Sequence, residues 1–168
     1  KNLIIQDESF KDLIQKIKRI LNGEEAGPGS QTKKYLERRS YPEEIPEALL
    51  RDRLANWLKT NPVIGPKQNV ITEYVVDGIE GYIDIFADNE AWELKTGAVS
   101  ALEIFQLFMY MDVKNINKGY IIGKSISSGG EVAISHILTK HNKTIIYSLL
   151  SDYPINQPPT REEREEYY

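Results

Sequence analysis

With 168 residues, 40 % of them hydrophobic and 27 % charged, the chain has the length and apolar content of one globular domain and too little of either for two. The absence of cysteine excludes disulfide frameworks, cysteine zinc sites and thiolate catalysis, and a formal net charge of -4 argues against a generic polyanion binder. No apolar run reaches the roughly 18 to 20 residues of a membrane helix, and no signal-peptide pattern opens the chain, so a soluble, cytoplasmic protein without membrane association is expected.

Ser9 caps a run in which Phe10, Leu13, Ile14, Ile17, Ile20 and Leu21 recur at helical spacing, and Gly23 stops it, predicting an amphipathic helix over 10–22. Residues 24–31, with Gly27-Pro28-Gly29-Ser30, read as a loop or short linker. Pro46 suits the first turn of a second helix whose stripe is Leu49, Leu50, Leu54, Trp57 and Leu58, ended by Asn61-Pro62. From Asn69 the period becomes that of strands. Val70 to Val76, Gly81 to Ala87 and Ala91 to Lys95, separated by turns at Asp77-Gly78 and Asp88-Asn89, predict an antiparallel meander.

Ser100 to Val113 reads as a helix burying Leu102, Phe105, Phe108 and Met109, and Gly119 to Gly123 as a short buried strand after a crossover. Two apolar stretches around His141-Asn142-Lys143 predict a C-terminal hairpin, with a helical Val132 to Leu138 as the alternative. The expected organisation is therefore an N-terminal helix and loop over 1–30, an α/β domain over 31–150, and a polar tail or linker over 151–168. A start at Lys1 and a polar end are what a domain of a longer protein would present. Basic residues gather at Lys11, Lys16, Lys18 and Arg19, at Lys33, Lys34, Arg38 and Arg39, and at Lys114, Lys118 and Lys124, so a cationic track can exist within an acidic sum.

The chemistry concentrates between Tyr82 and Lys95. Asp84 falls on the second strand of the meander, and alternation on the third puts Glu93 and Lys95 on one face with Leu94 on the other. Two carboxylates beside an ammonium suit a divalent cation working on a phosphodiester; a solvated face with cross-strand ion pairs is the plainer alternative. Gln106 and Tyr110 stand one above the other on the following helix, as nucleic-acid contacts or as an ordinary polar edge. Glu103 on that edge reads as a surface charge, His136 and His141 as satisfied or solvent-facing, and Trp92 as core. Ser125 to Gly130 lacks the lysine of a phosphate loop.

Asp84, Glu93-Leu94-Lys95 and Gln106-x-x-x-Tyr110, in the order helix, three-strand meander, helix, strand, resemble the PD-(D/E)XK nuclease superfamily over roughly residues 46 to 124. The Gln-x-x-x-Tyr element is similar to that of RecB-type nucleases, CRISPR-adaptation nucleases and the nuclease domain of type I restriction motor subunits. The short gap between Lys95 and Gln106 is most like the last of these. Gly81-Tyr82-Ile83 stands before Asp84 where the family name suggests proline.

The resemblance implies a restriction-endonuclease-like core with an added N-terminal helix and C-terminal hairpin. It implies magnesium, replaceable by manganese, held by Asp84, Glu93 and the Leu94 carbonyl, with a further carboxylate from Glu47 and Glu44 or Asp52 as substitutes. Lys95 would orient the attacking water or offset charge on the phosphate, and Gln106 and Tyr110 would contact the nucleic acid. The implied activity is DNA hydrolysis in defence or DNA processing, joined to a helicase, motor or other defence component. An RNA-cleaving member and a catalytically idle nucleic-acid-binding or assembly module are the rivals.

Overall fold

In the computed structural model, which describes residues 44–61, 63 and 65–168, helix α1 (Glu47–Thr60) begins directly after Pro46 and buries Leu49, Leu50, Leu54, Ala55 and Leu58. Residues 45–168 constitute one unit and residues 1–44 another. The predicted helix over 10–22 and the loop over 24–31 lie outside the described residues.

The meander follows α1 as β1 (Val70–Val76), β2 (Gly81–Ala87) and β3 (Glu90–Leu94), all antiparallel neighbours. Asp88 and Asn89 join β2 to β3 as a two-residue turn with φ of 48° and 66°, the left-handed pair that a tight hairpin demands. The first turn takes the four residues between Val76 and Gly81, which pair at the strand ends the sequence predicts. After the two-residue strand β4 (Ala98–Val99), helix α2 (Ala101–Val113) leads to β5 (Lys118–Gly123), which lies parallel to β3.

The C-terminal hairpin is not what forms. A short strand β6 (Ser125–Ile126), parallel to β4, leads to helix α3 (Ser128–His141) and then to β7 (Thr144–Leu149), parallel to β5. A parallel neighbour requires a crossover, and the chain supplies it. The Ser127 hydroxyl accepts the Gly130 N–H, and Asn142 ends the helix at φ 54°. Gly129 and Gly130 therefore sit in a first helical turn; a Cβ at Gly130 would lie 2.8 Å from Ile126 Cγ1. The result is a mixed sheet in the order β1-β2-β3-β5-β7.

Helices cover both faces, so the expected α/β class holds. On one side α2 and α3 pack Ile104, Leu107, Met111, Ala133 and Ile137 against Ile83, Ala91, Ile121 and Ile145; on the other, Leu50, Leu54 and Leu58 of α1 meet Ile85, Trp92, Leu94 and Ile122. The buried stripe of α2 is Ile104, Leu107, Tyr110 and Met111. Leu102, Phe105 and Met109, expected inside, are 75 %, 42 % and 43 % exposed, and Phe108 is only partly buried. The stretch 151–168, expected to be a polar tail or linker, carries a 3-10 turn (Leu150–Asp152) and helix α4 (Arg161–Tyr167), which rests on α1. No helix among the described residues is long and apolar enough to cross a membrane.

Candidate functional site

Ile85 pairs with Trp92 across β2 and β3, so one residue further along Asp84 stands opposite Glu93. Two bonds tie them: the Leu94 N–H donates to Asp84 Oδ2 at 2.8 Å, and the Asp84 N–H reaches Glu93 Oε2 at 3.5 Å. Both residues are only 5 % exposed. Lys95 Nζ donates to Glu93 Oε1 at 2.8 Å. Leu94 packs into the α1-side core while Glu93 follows Ala91 toward the opposite face, the split that alternation predicts.

On β2 that alternation fails at Asp84. Ile83 and Phe86 belong to the α2 side, whereas Ile85 and Ala87 belong to the α1 side. The neighbouring strand turns over at the same level, since Val70 packs with the α1 side and Tyr74 and Val76 with the other. Between them Glu73, which the register sets opposite Asp84, has φ 50°. Asp84 thus occupies the crossing point of a locally strained strand pair, a kind of position that clusters at functional sites.

Burial, and then the charges around it, determine the state of the site. Desolvation raises the Asp84 carboxyl, against the Leu94 N–H and the Lys95 charge, which favour ionisation. Glu93 is pushed up to about 7, first by burial and then by Asp84. Burial alone would lower Lys95; Glu93 and Asp84 outweigh it and hold the ammonium above its usual range. Two carboxylates therefore share one ammonium in a poorly hydrated place, leaving a negative charge uncompensated when both ionise.

Hard oxygen donors with excess negative charge fit magnesium or manganese. Among the described residues no three Asp, Glu or His side chains form a group fit to hold a metal, so this chain's share would be the Asp84 and Glu93 carboxylates and a main-chain oxygen such as that of Leu94. Glu47, in the first turn of α1, is exposed, and its charge is felt at both Asp84 and Lys95; among the described residues no hydrogen bond joins it to either. Of the substitutes, Asp52 is engaged by the Tyr167 hydroxyl at 2.6 Å, and Glu44 is exposed and belongs to the unit before residue 45.

Gln106 and Tyr110 are joined: Gln106 Nε2 donates to the Tyr110 hydroxyl at 2.9 Å. Tyr110 is buried against Gly81, where a Cβ would approach its hydroxyl and ring to 2.7 Å, whereas Gln106 is exposed. One turn earlier the Glu103 carboxyl is held below its usual range, chiefly by the Ser100 hydroxyl and in smaller part by the Lys95 charge. Glu103, Gln106 and Tyr110 follow one another at helical spacing, so that edge of α2 runs from the vicinity of Lys95 to Gly81, three residues before Asp84. Glu103 also accepts the Ser100 N–H at 2.8 Å, completing a capping box, which is more than a surface charge.

His136 and His141 are exposed and lie against Phe105 and Phe108. Trp92 is buried and stacks on Tyr120 at 3.8 Å. Ser125 to Gly130 forms β6 and the start of α3. Two charged residues at the site escape sequence reasoning. Arg51, four residues after Glu47 on α1, donates through Nη1 to Glu73 Oε1 at 2.8 Å. The (i, i+4) spacing from Glu47 is the one local signal for Arg51. For Glu73 the signal is the hairpin itself: strands that end at Val76 and resume at Gly81 set residue 73 opposite residue 84. Compared with family models, curated proteins and solved structures, the chain matches none.

Proposed function

We propose that residues 45–168 form a metal-dependent nuclease domain of the PD-(D/E)XK type that hydrolyses phosphodiester bonds in DNA, in defence or DNA processing. The carrying observation is the buried Asp84–Glu93 pair with its single ammonium, Lys95. A purely structural role explains it poorly, because burying two acids for one base opposes folding, whereas a site for a hard cation turns the same excess charge to use. The order of elements from α1 through β5 and the Gln106–Tyr110 pair on α2 support the same reading.

In this reading the Asp84 and Glu93 carboxylates and the Leu94 carbonyl hold the ion, and Glu47 contributes from α1. Bound there, a divalent cation supplies Lewis acidity at the phosphate and a lowered pKa for the attacking water. Lys95, kept cationic by Glu93 and Asp84, places its charge where the phosphate gains negative charge. Gln106 presents an amide from the exposed edge of α2, with one hydrogen engaged by Tyr110 and the rest of the group open to a phosphate or base edge. Domains of this kind work beside a helicase, motor or other defence component, and that partner is part of the proposal.

The test is cleavage of labelled DNA, and in parallel RNA, across a magnesium and manganese titration with the parent, Asp84→Ala and Glu93→Ala proteins. Metal-dependent cleavage of DNA by the parent alone is the expected result. Cleavage confined to RNA would move the substrate. An Asp84→Ala protein that cleaves at the parental rate would sink the site.

A further inference from the structure

Arg51 stands at the edge of this site with no part in the chemistry above. It leaves α1 on the same face as Glu47, one turn on. Its side chain is 15 % exposed and is held by Glu73 through Nη1 and, at 3.4 Å, by Asp52 through Nε. Among the described residues Nη2 has no hydrogen-bond partner. Asp52 accepts the Tyr167 hydroxyl on its other oxygen, so α4 braces the fork from behind.

Glu73 fixes where this guanidinium lies. Thr72 pairs with Ile85 and Tyr74 with Ile83, so Glu73 stands across from Asp84, and its ion pair draws Arg51 to that level of the sheet. Arg51 and Asp84 each sense the other's charge. Glu73 keeps a left-handed backbone, sparsely populated for a residue with a side chain, and its carboxylate is 58 % exposed. The pair therefore opens to solvent on the Glu73 side. A guanidinium that meets a carboxylate through one nitrogen and keeps another free is matched to a planar or tetrahedral oxyanion offering two oxygens.

We propose that Arg51 grips a backbone phosphate of the nucleic acid beside Asp84, and that Glu73 holds the guanidinium in position until that phosphate displaces it. This rests on the nuclease reading. An incoming phosphate repels the exposed Glu73 carboxylate, and Arg51 exchanges one anion for another without leaving its brace on Asp52. The fork thus remains ordered whether or not substrate is present, which spares the ordering entropy of a free arginine.

Binding measured without metal separates the two claims, because no cleavage is needed. Fluorescence anisotropy of a short labelled DNA, single-stranded and duplex, is followed in EDTA over a salt series. Arg51→Ala is expected to weaken binding about tenfold and to lower the salt slope by about 1. Arg51→Lys should restore the slope and only part of the affinity. Glu73→Gln, which removes the competing charge and keeps Arg51, should bind a few-fold tighter than the parent. Should Arg51→Ala fail to fold, the lysine and glutamine variants carry the same comparison. Parental affinity and slope in Arg51→Ala, or a Glu73→Gln protein weakened as much as Arg51→Ala, would overturn the assignment while leaving the nuclease reading standing. A parent protein that binds neither DNA would overturn the Arg51 assignment, while the nuclease reading stands or falls on the metal-dependent cleavage titration.

Discussion

Helix α1 borders two charged networks that handle carboxylates in opposite ways. At the site end Asp84 and Glu93 are both raised by burial and share Lys95. At the α4 end Arg53 takes Glu163 in a two-pronged grip at 2.8 and 2.6 Å and also donates to the carbonyls of Ile155 and Gln157 at 2.7 Å. There Glu163 is lowered to about 2, chiefly by Arg53 and by the Thr160 N–H. One network matches acid to base and lies near water, where desolvation is small; the other has an acid too many in a place that disfavours charge. The contrast teaches where to look for chemistry: a balanced pair holds elements together, and an unbalanced buried one needs a charge from outside the chain.

The largest effect should come from emptying the unbalanced network. Asp84→Ala is expected to reduce metal-dependent cleavage to background while the metal-free melting temperature stays level or rises, because carboxylate repulsion is relieved. A fall in melting temperature on the scale of a core truncation would instead make Asp84 structural. Lys95→Ala should lower turnover and spare manganese affinity, read by calorimetry beside steady-state kinetics. Lost metal binding with unaltered cleavage would reverse that role.

In the balanced network Arg53→Ala should cost about 1–3 kcal/mol of stability, since it removes a bidentate ion pair and two carbonyl contacts at a partly exposed position. Chemical denaturation measures it. The two networks should also respond to pH with opposite signs. Glu93 rises from 4.5 to about 7 on folding, so its contribution to metal-free stability declines as pH climbs through that window, and Glu93→Gln should remove that decline. Glu163 falls from 4.5 to about 2, so its contribution is present above 4.5 and fades as pH drops toward 2; Glu163→Gln should erase that acid limb. Melting curves over pH test both, and magnesium should flatten only the first. The smallest effect belongs to Gln106→Ala, which should weaken nucleic-acid binding by about 1–2 kcal/mol with little change in melting temperature, Gln106 being exposed.

What could be read in advance depended on how far the cause lay along the chain. Pro46 and the leucine stripe announced α1, and Asp88-Asn89 announced a hairpin, because each signal sits within the element it shapes. Asp84, Glu93 and Lys95 come together through that one tight turn, so their meeting was legible too. In α2 nearly every position is apolar, and two stripes compete: Leu102, Phe105 and Met109 against Ile104, Leu107 and Met111. Periodicity cannot choose between them; packing against the sheet does. Gly130 is the close approach of α3 to Ile126, a role that only the neighbouring strand β6 reveals. The grip of Arg53 on Glu163 and of Arg51 on Glu73 joins residues 110 and 22 positions apart, beyond any local pattern.

Tyr110 lies so near Gly81 that a methyl group there would meet its hydroxyl at 2.7 Å. The gap between helix α2 and strand β2 is therefore set by a missing side chain. An alanine at 81 would act as a wedge, tilting α2 outward and carrying Gln106 with it, while every charged group of the site kept its identity. Position 81 is in that sense a shim: its thickness alone adjusts the clearance between the amide of Gln106 and the acids of β2 and β3, a mechanical adjustment available without touching the chemistry.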